Sequence, residues 1–185
     1  MMDMNGLKKA YKWFDYMKIA GVWISGISLL GMMFFIVVDV LLRNVYSNSI
    51  NGGFEIVQNY FMPLVVFPAL AYIYASGVLP RMDLLIEKFK RSIRKCLIIG
   101  MLVIEIFILV IMAKYTLDYA MNGLARQMSF PAAGTLYPLY PLFFLIPISF
   151  LLIIIENMFL LIKNALVKEP TLLFKYDKNA DHQKG

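Results

Sequence analysis

Four long apolar segments alternate with shorter polar ones along the chain. They cover residues of about 19–42, 54–76, 97–121 and 137–161. As a helix, roughly 20 apolar residues cross a hydrocarbon core about 30 Å thick. A helix also satisfies its backbone N–H and C=O groups internally, as the bilayer requires. The pattern therefore predicts an all-α integral membrane protein with four transmembrane helices. They form a single domain over 1–168, followed by a polar cytoplasmic tail over 169–185.

Two segments that flank the predicted spans have a helical periodicity of their own. Residues 5–18 and 81–95 carry apolar side chains along one helical face and charged side chains along another. Amphipathic helices of this kind lie in the headgroup plane, whereas the alternative is an ordinary charged connection. We predict two interfacial helices. Their candidate membrane anchors are one tryptophan and five basic residues: Trp13, Lys8, Lys12, Lys88, Arg91 and Lys95.

Composition and charge agree with a membrane location. The chain is 61% hydrophobic and 16% charged, against about 45–50% and 25% in soluble domains. Its formal charge of +6 comes from basic residues beside the apolar segments, which favours phospholipid headgroups over nucleic acid as the partner. Of the 18 Lys and Arg residues, 15 lie on one predicted side of the membrane and two on the other. The positive-inside rule therefore places both termini in the cytoplasm.

Several kinds of chemistry lack the residues they need. Cys96 is the single cysteine and His182 the single histidine, which excludes a disulfide, a thiolate metal site and a haem held by two histidines. No glycine-rich phosphate loop occurs. The sequence predicts no cofactor, no metal site and no enzymatic activity.

Polar residues within predicted spans are the candidate functional residues, because burying them in lipid is costly. Asp39 and Arg43 are four residues apart, so they share a helical face and can pair. Glu55, Gln58 and Asn59 form a polar stripe at the start of the second span. Such groups hydrogen-bond between helices, either within this chain or with a partner subunit.

Glu105 is the deepest carboxylate, near the centre of the third predicted span. It is either a proton or cation site or a side chain hydrogen-bonded to a neighbouring helix. The lack of a second carboxylate on the same face favours the structural role. Glu156, near the end of the fourth span, is expected to reach the cytoplasmic interface. Gly21, Ser25 and Ser28 form a small-residue seam that allows a second helix to approach the first span closely.

Several motifs resemble those of one transporter family. They are 39–44 (DVLLRN), 53–55 (GFE), 77–85 (GVLPRMDLL), 135–138 (TLYP) and 147–152 (PISFLL). On these residues the chain resembles the small membrane subunit, of the Q or DctQ type, of TRAP (tripartite ATP-independent periplasmic) transporters. Pro80 stands where that family often has histidine, so a role of that histidine does not transfer.

The resemblance implies a sodium-driven, binding-protein-dependent secondary transporter in the bacterial inner membrane that takes up an organic acid such as sialic acid or a C4-dicarboxylate. The implied partners are a large membrane subunit, bound directly as a heterodimer, and a periplasmic substrate-binding protein. Substrate and sodium sites would belong to the large subunit, which the small subunit braces. The candidate contacts with that subunit, or between helices of this chain, are the polar residues Asp39, Arg43, Glu55, Gln58, Asn59 and Glu105.

Two other functions remain open from the residues alone. The chain could act as a self-sufficient, homo-oligomeric small exporter that uses Glu105, or as a membrane assembly protein without transport activity.

Overall fold

A computed structural model describes residues 4–47, 49–76 and 91–166, with side chains for 11–47, 49–76 and 93–164. Within these ranges, four helical spans are long and apolar enough to cross a membrane, as predicted. Their elements, in chain order, are α1 (Met4–Tyr46), α2 (Gly53–Ile56), a π-helical stretch (Val57–Phe61), α3 (Met62–Ser76), α4 (Arg91–Ala125), β1 (Ser129–Ala132), β2 (Thr135–Pro138), α5 (Tyr140–Phe143) and α6 (Leu145–Leu166). Span 1 is α1, span 2 runs from α2 to α3, span 3 is α4, and span 4 is α5 with α6.

Span 1 is one uninterrupted helix of 43 residues. The sequence predicted a separate helix over 5–18, but no proline or turn signal separates it from the apolar segment, and the helix continues through. At 1.5 Å per residue it is about 65 Å long, roughly twice the thickness of a hydrocarbon core. That residues 5–18 lie along the headgroup plane stays a prediction. The second predicted interfacial helix lies outside the described residues except for 91–95, which begin α4, and the tail over 169–185 lies outside them altogether.

The spans pack in the order 1, 2, 4, 3. Span 1 lies along α3, α3 packs against α6, and α6 packs along α4. The best-buried apolar cluster joins Ile98 and Leu102 of span 3 to Leu160 of span 4. Of the 18 most apolar consecutive residues in each span, only 6% are buried in span 1, against 39% in span 4. Span 1 therefore presents most of its surface outwards. We call the end where α1 begins and α6 finishes the terminal end, and the opposite one the hairpin end.

Spans 1 and 2 approach to backbone contact. Pro68 interrupts the hydrogen bonds of α3, because proline has no N–H to donate to the carbonyl four residues before it. The Ser25 hydroxyl donates to that carbonyl, the Leu64 oxygen, at 3.4 Å. Gly21 lies so close that a Cβ there would overlap the Pro68 carbonyl oxygen. Two of the three residues in the predicted seam thus make the close contact, and Ser28 is half-buried beside them.

A short β-hairpin precedes span 4, where the sequence predicted a loop followed by a helix from residue 137. Strands β1 and β2 pair antiparallel through a two-residue turn at Ala133 and Gly134, both with positive φ, as tight hairpins require. The first helical residue is instead Tyr140. The hairpin is held by span 2, since the Tyr60 hydroxyl donates to the Pro138 carbonyl at 2.6 Å and its ring meets that of Phe130.

Gly52 docks the hairpin onto the start of span 2, and we expect Gly52→Ala to weaken that contact. Its φ is +74°, and a Cβ there would lie 2.6 Å from the Ala133 nitrogen. Gly134 has a similar φ of +78° but open space around its Cβ position. Gly134→Ala should cost about 1 kcal/mol through backbone strain. Gly52→Ala should cost about 1–3 kcal/mol more through overlap. Thermal unfolding of both variants in detergent measures the difference, and equal losses would show that the overlap is relieved at no cost.

Candidate functional site: polar contacts between the spans

The predicted pair of Asp39 and Arg43 lies at the hairpin end of span 1. The Arg43 guanidinium donates to Asp39 Oδ2 at 3.3 Å, and it remains mostly exposed. The second carboxylate oxygen, Oδ1, accepts the backbone N–H of Ile50 at 2.6 Å. Asp39 therefore anchors the connection between spans 1 and 2. Together with Glu55, these side chains line an open cavity of about 580 Å³ between the end of α1 and the start of α2.

The polar side chains of the span 2 stripe differ in their surroundings. The Asn59 amide nitrogen donates to the Glu55 backbone carbonyl at 2.8 Å, one turn earlier in the same span. That turn is widened into a π-helix, in which the Met62 N–H reaches the Val57 carbonyl. Gln58 points away from the bundle and is exposed. Asn59 thus bonds within its own helix, whereas Gln58 is exposed and Glu55 borders the open cavity.

Glu105 joins three spans through one tyrosine. Its Oε1 lies 2.6 Å from the Tyr74 hydroxyl of span 2, which also lies 2.6 Å from Asn157 Oδ1 of span 4. Asn157 is fully buried, and within the part of the chain that the structure describes its amide nitrogen has no hydrogen-bond partner. Glu105 is thus hydrogen-bonded to a neighbouring helix, and its role stays a prediction. The structure thus brings Glu105 close to neither Asp39 nor the span 2 stripe.

The most deeply buried charges among the described side chains were not among the predicted pairs. Lys18 of span 1 and Glu156 of span 4 form an ion pair of 2.8 Å, with both side chains 1% exposed. The Tyr11 hydroxyl donates to Glu156 Oε1 at 2.8 Å. The ammonium also donates to the Tyr11 oxygen at 3.1 Å and pairs with Asp15 at 3.2 Å. We call these four residues the terminal clamp.

The expectation that Glu156 reaches the cytoplasmic interface was wrong, because Lys18 and Tyr11 cover its carboxylate. A signal was available in the sequence. Opposite charges stand near the same predicted end of two spans, and a buried carboxylate requires such a partner. In contrast, Lys114 and Asp118 of span 3 are exposed, and among the described side chains they form no ion pair with each other. Among the described side chains, a spacing of four residues therefore goes with an ion pair at Asp39 and Arg43 but not at Lys114 and Asp118.

The predicted membrane anchors differ in their exposure. Trp13 is 75% exposed, as an interfacial anchor would be, and Lys12 is exposed while Lys95 is half-buried. The side chains of the remaining three, which are Lys8, Lys88 and Arg91, lie outside the described ones. Whether these residues meet headgroups stays a prediction.

The polar side chains seen between the spans hold helices and connections together. Within the described residues, no group of three or more His, Cys, Asp or Glu side chains could hold a metal ion. The terminal clamp, the Glu105 cluster and Asp39 each have partners inside this chain. Within the described residues, these polar groups therefore join helices and connections of this chain, while Gln58 on span 2 is exposed.

Comparison with known proteins identifies one family. The sequence model described as "Tripartite ATP-independent periplasmic transporters, DctQ component" matches residues 32–164, well over half of the chain. The match covers the end of span 1, all of spans 2 and 3, the hairpin, and span 4 except its last two residues. No curated protein matches the chain, and no solved structure does.

Proposed function

The chain belongs to the DctQ family and is a small membrane component of a TRAP transporter, and from this premise we propose that it braces the large permease subunit in the membrane. The complete transporter takes up an organic acid in a sodium-driven, binding-protein-dependent manner. This subunit binds the large subunit directly, and the periplasmic binding protein docks on their complex. The complex resides in the bacterial inner membrane, with both termini of this chain in the cytoplasm.

The internal use of the polar side chains is the observation that supports a bracing role most strongly. Asp39 holds a connection, Asn59 bonds within its own span, and Glu105 and Glu156 bond to neighbouring spans. A subunit that carried the solute itself would need polar groups directed at that solute. Exposed aromatic residues on span 1, such as Trp23 and Phe34, offer instead a broad apolar surface to lipid and to the large subunit.

Gln58 is the residue we expect to bond to the large subunit, because an exposed amide inside a span is poorly solvated by lipid. Gln58→Leu should remove about 1 kcal/mol of association free energy, which corresponds to roughly fivefold weaker binding. The measurement is the recovery of large subunit on the tagged chain, titrated with detergent.

Asn59→Leu is the matched control, since it makes a similar change at the next residue but removes an amide that bonds within span 2. Recovery of the complex should stay near the wild-type level in this control. If both variants lose the large subunit equally, the effect comes from the π-helical turn rather than from a contact at Gln58.

Gentle purification of the tagged chain from its native membrane, followed by mass analysis of the intact complex, tests the proposal as a whole. A stoichiometric, larger multi-span partner is the expected result, together with sodium-dependent uptake of an organic acid that requires both subunits and the binding protein. A homo-oligomer that persists under crosslinking, or uptake by the large subunit at the full rate without this chain, would overturn the bracing role.

A further inference from the structure

We propose that the cavity at the hairpin end of spans 1 and 2 binds a phospholipid whose headgroup carries a primary ammonium group, as in phosphatidylethanolamine. The cavity has a volume of about 580 Å³. Its lining includes the carboxylates of Asp39 and Glu55 and the guanidinium of Arg43, together with apolar side chains such as Phe35 and Ile36. A molecule that matches both kinds of lining is amphipathic.

The charges of the lining favour a positive group in the cavity. Asp39 already has two partners, the Arg43 guanidinium at 3.3 Å and the Ile50 N–H at 2.6 Å. Glu55 is half-buried, and among the described side chains its carboxylate forms no ion pair and no hydrogen bond. Two carboxylates and one guanidinium leave one negative charge in excess. A carboxylate drawn partly out of water is stabilised by a cation, which an ammonium group supplies.

Arg43 offers the contact for the phosphate of the same headgroup. A guanidinium has five N–H donors, and the bond to Asp39 Oδ2 uses one of them. The Arg43 side chain is 67% exposed, and a guanidinium binds phosphate through two parallel hydrogen bonds. Phosphatidylethanolamine brings a phosphate for Arg43 and an ammonium for Glu55. Phosphatidylglycerol brings the phosphate alone and would leave Glu55 without a counter-ion.

Span 1 presents an apolar face to the acyl chains on the membrane side of the cavity. Leu29, Met33, Ile36 and Val40 follow one another at helical spacing and are 41–55% exposed. The 11 residues from Leu29 to Val40 rise about 16 Å, which is close to half of a hydrocarbon core about 30 Å thick. Arg43 continues this face one turn further. A lipid held at Arg43 therefore has an apolar surface as long as one leaflet beside its chains.

The polar clusters of span 1 place the cavity at the level of the headgroups. Asp39 follows Lys18 of the terminal clamp by 21 residues, or about 32 Å of helix. That distance is close to the thickness of a hydrocarbon core. The two clusters therefore lie near its opposite boundaries, and the cavity beside Asp39 lies where a lipid headgroup meets its chains.

Lipid titration of the purified full chain tests the site. The delipidated protein in detergent receives phosphatidylethanolamine, or phosphatidylglycerol with the same acyl chains, and mass analysis of the intact protein counts the bound lipids. We expect phosphatidylethanolamine to bind roughly tenfold more tightly, the scale of one hydrogen bond to a charged group. Glu55→Gln should remove that preference. Asp118→Asn, which neutralises an exposed carboxylate on span 3, is the matched control and should keep it.

Arg43→Gln gives a second readout, because both lipids carry a phosphate. This variant should weaken the binding of both lipids and leave the preference for phosphatidylethanolamine in place. Equal binding of the two lipids by the wild type, or a preference that survives Glu55→Gln, would overturn the proposal. The titration uses this chain alone, so its result is independent of whether the chain braces a large subunit.

Carbodiimide coupling in the native membrane identifies the occupant of the cavity in the assembled protein. The reagent joins a carboxylate to a neighbouring primary amine as an amide, with loss of water. We expect the peptide that contains Glu55 to carry phosphatidylethanolamine, and Glu55→Gln to abolish this adduct. An unmodified peptide contradicts the proposal. A crosslink from Glu55 to a lysine of another subunit contradicts it as well, because the cavity would then belong to a protein interface.

Discussion

Lys18→Met should destabilise the bundle by about 3–5 kcal/mol, the typical cost of removing one partner of a buried ion pair. The Glu156 carboxylate, which is fully buried, would keep the Tyr11 hydroxyl but lose its positive charge. The ammonium has three hydrogens, and acceptors on Glu156, Tyr11 and Asp15 surround it. Thermal or chemical unfolding in detergent, followed by tryptophan fluorescence, measures the loss.

Two controls separate the buried charge from other effects of the Lys18 substitution. Lys12→Met makes the same change at an exposed position of the same helix and should stay within about 0.5 kcal/mol of wild type. Adding Glu156→Leu to Lys18→Met should recover most of the stability, because apolar groups of similar size often replace a buried pair without loss. Lys18→Met as stable as Lys12→Met would show that the terminal clamp adds nothing to stability.

Gly21→Ala is the second substitution from which we expect a large effect. Its Cβ would overlap the Pro68 carbonyl oxygen, and backbone cannot rotate away as a flexible side chain can. Spans 1 and 2 would have to separate, which also stretches the bond from Ser25 to Leu64. Overpacking of this kind costs about 1–3 kcal/mol. Unfolding of the variant in detergent measures it, and crosslinking between the two spans would report the separation directly.

Gly26→Ala is the matched control for this prediction. It adds the same methyl group to the same helix, but nothing lies within 4 Å of that Cβ position. Alanine is the better helix former by about 1 kcal/mol, so the control should be neutral or slightly stabilising. An equal loss of stability in both variants would mean that the close approach of spans 1 and 2 does not contribute to the free energy of unfolding.

The membrane class of the fold could be predicted from the sequence, because a bilayer requires each span to be an apolar segment of roughly fixed length. The helical stretch of span 2 runs from Gly53 to Ser76, beside the predicted bounds of 54 and 76. Helices α1 and α4 extend beyond the apolar segments of spans 1 and 3, because a helix continues past the apolar region until a signal stops it. The hairpin was missed because its strands have four residues each, too few for a period of two to stand out.

The polar contacts were harder to predict for a different reason. Asp39 with Arg43 follows from spacing within a single helix. The terminal clamp and the Glu105 cluster depend on which faces of separate helices meet, and a helical pattern gives no information on the rotation of one helix against another. Tyr74 and Asn157, uncharged and embedded in apolar segments, gave no signal of their role until the packing placed them beside Glu105.

The ion pair of the terminal clamp also constrains how the protein is made. Lys18 and Glu156 are 138 residues apart in sequence, and synthesis proceeds from the N-terminus. Lys18, with Tyr11 and Asp15 close by, therefore emerges from the ribosome long before Glu156 has been synthesised. The bond that joins the first span to the last is among the final ones available to the nascent chain. A polypeptide released before span 4 is complete keeps the pair of Lys18 with Asp15 on its first helix but lacks the buried carboxylate of Glu156.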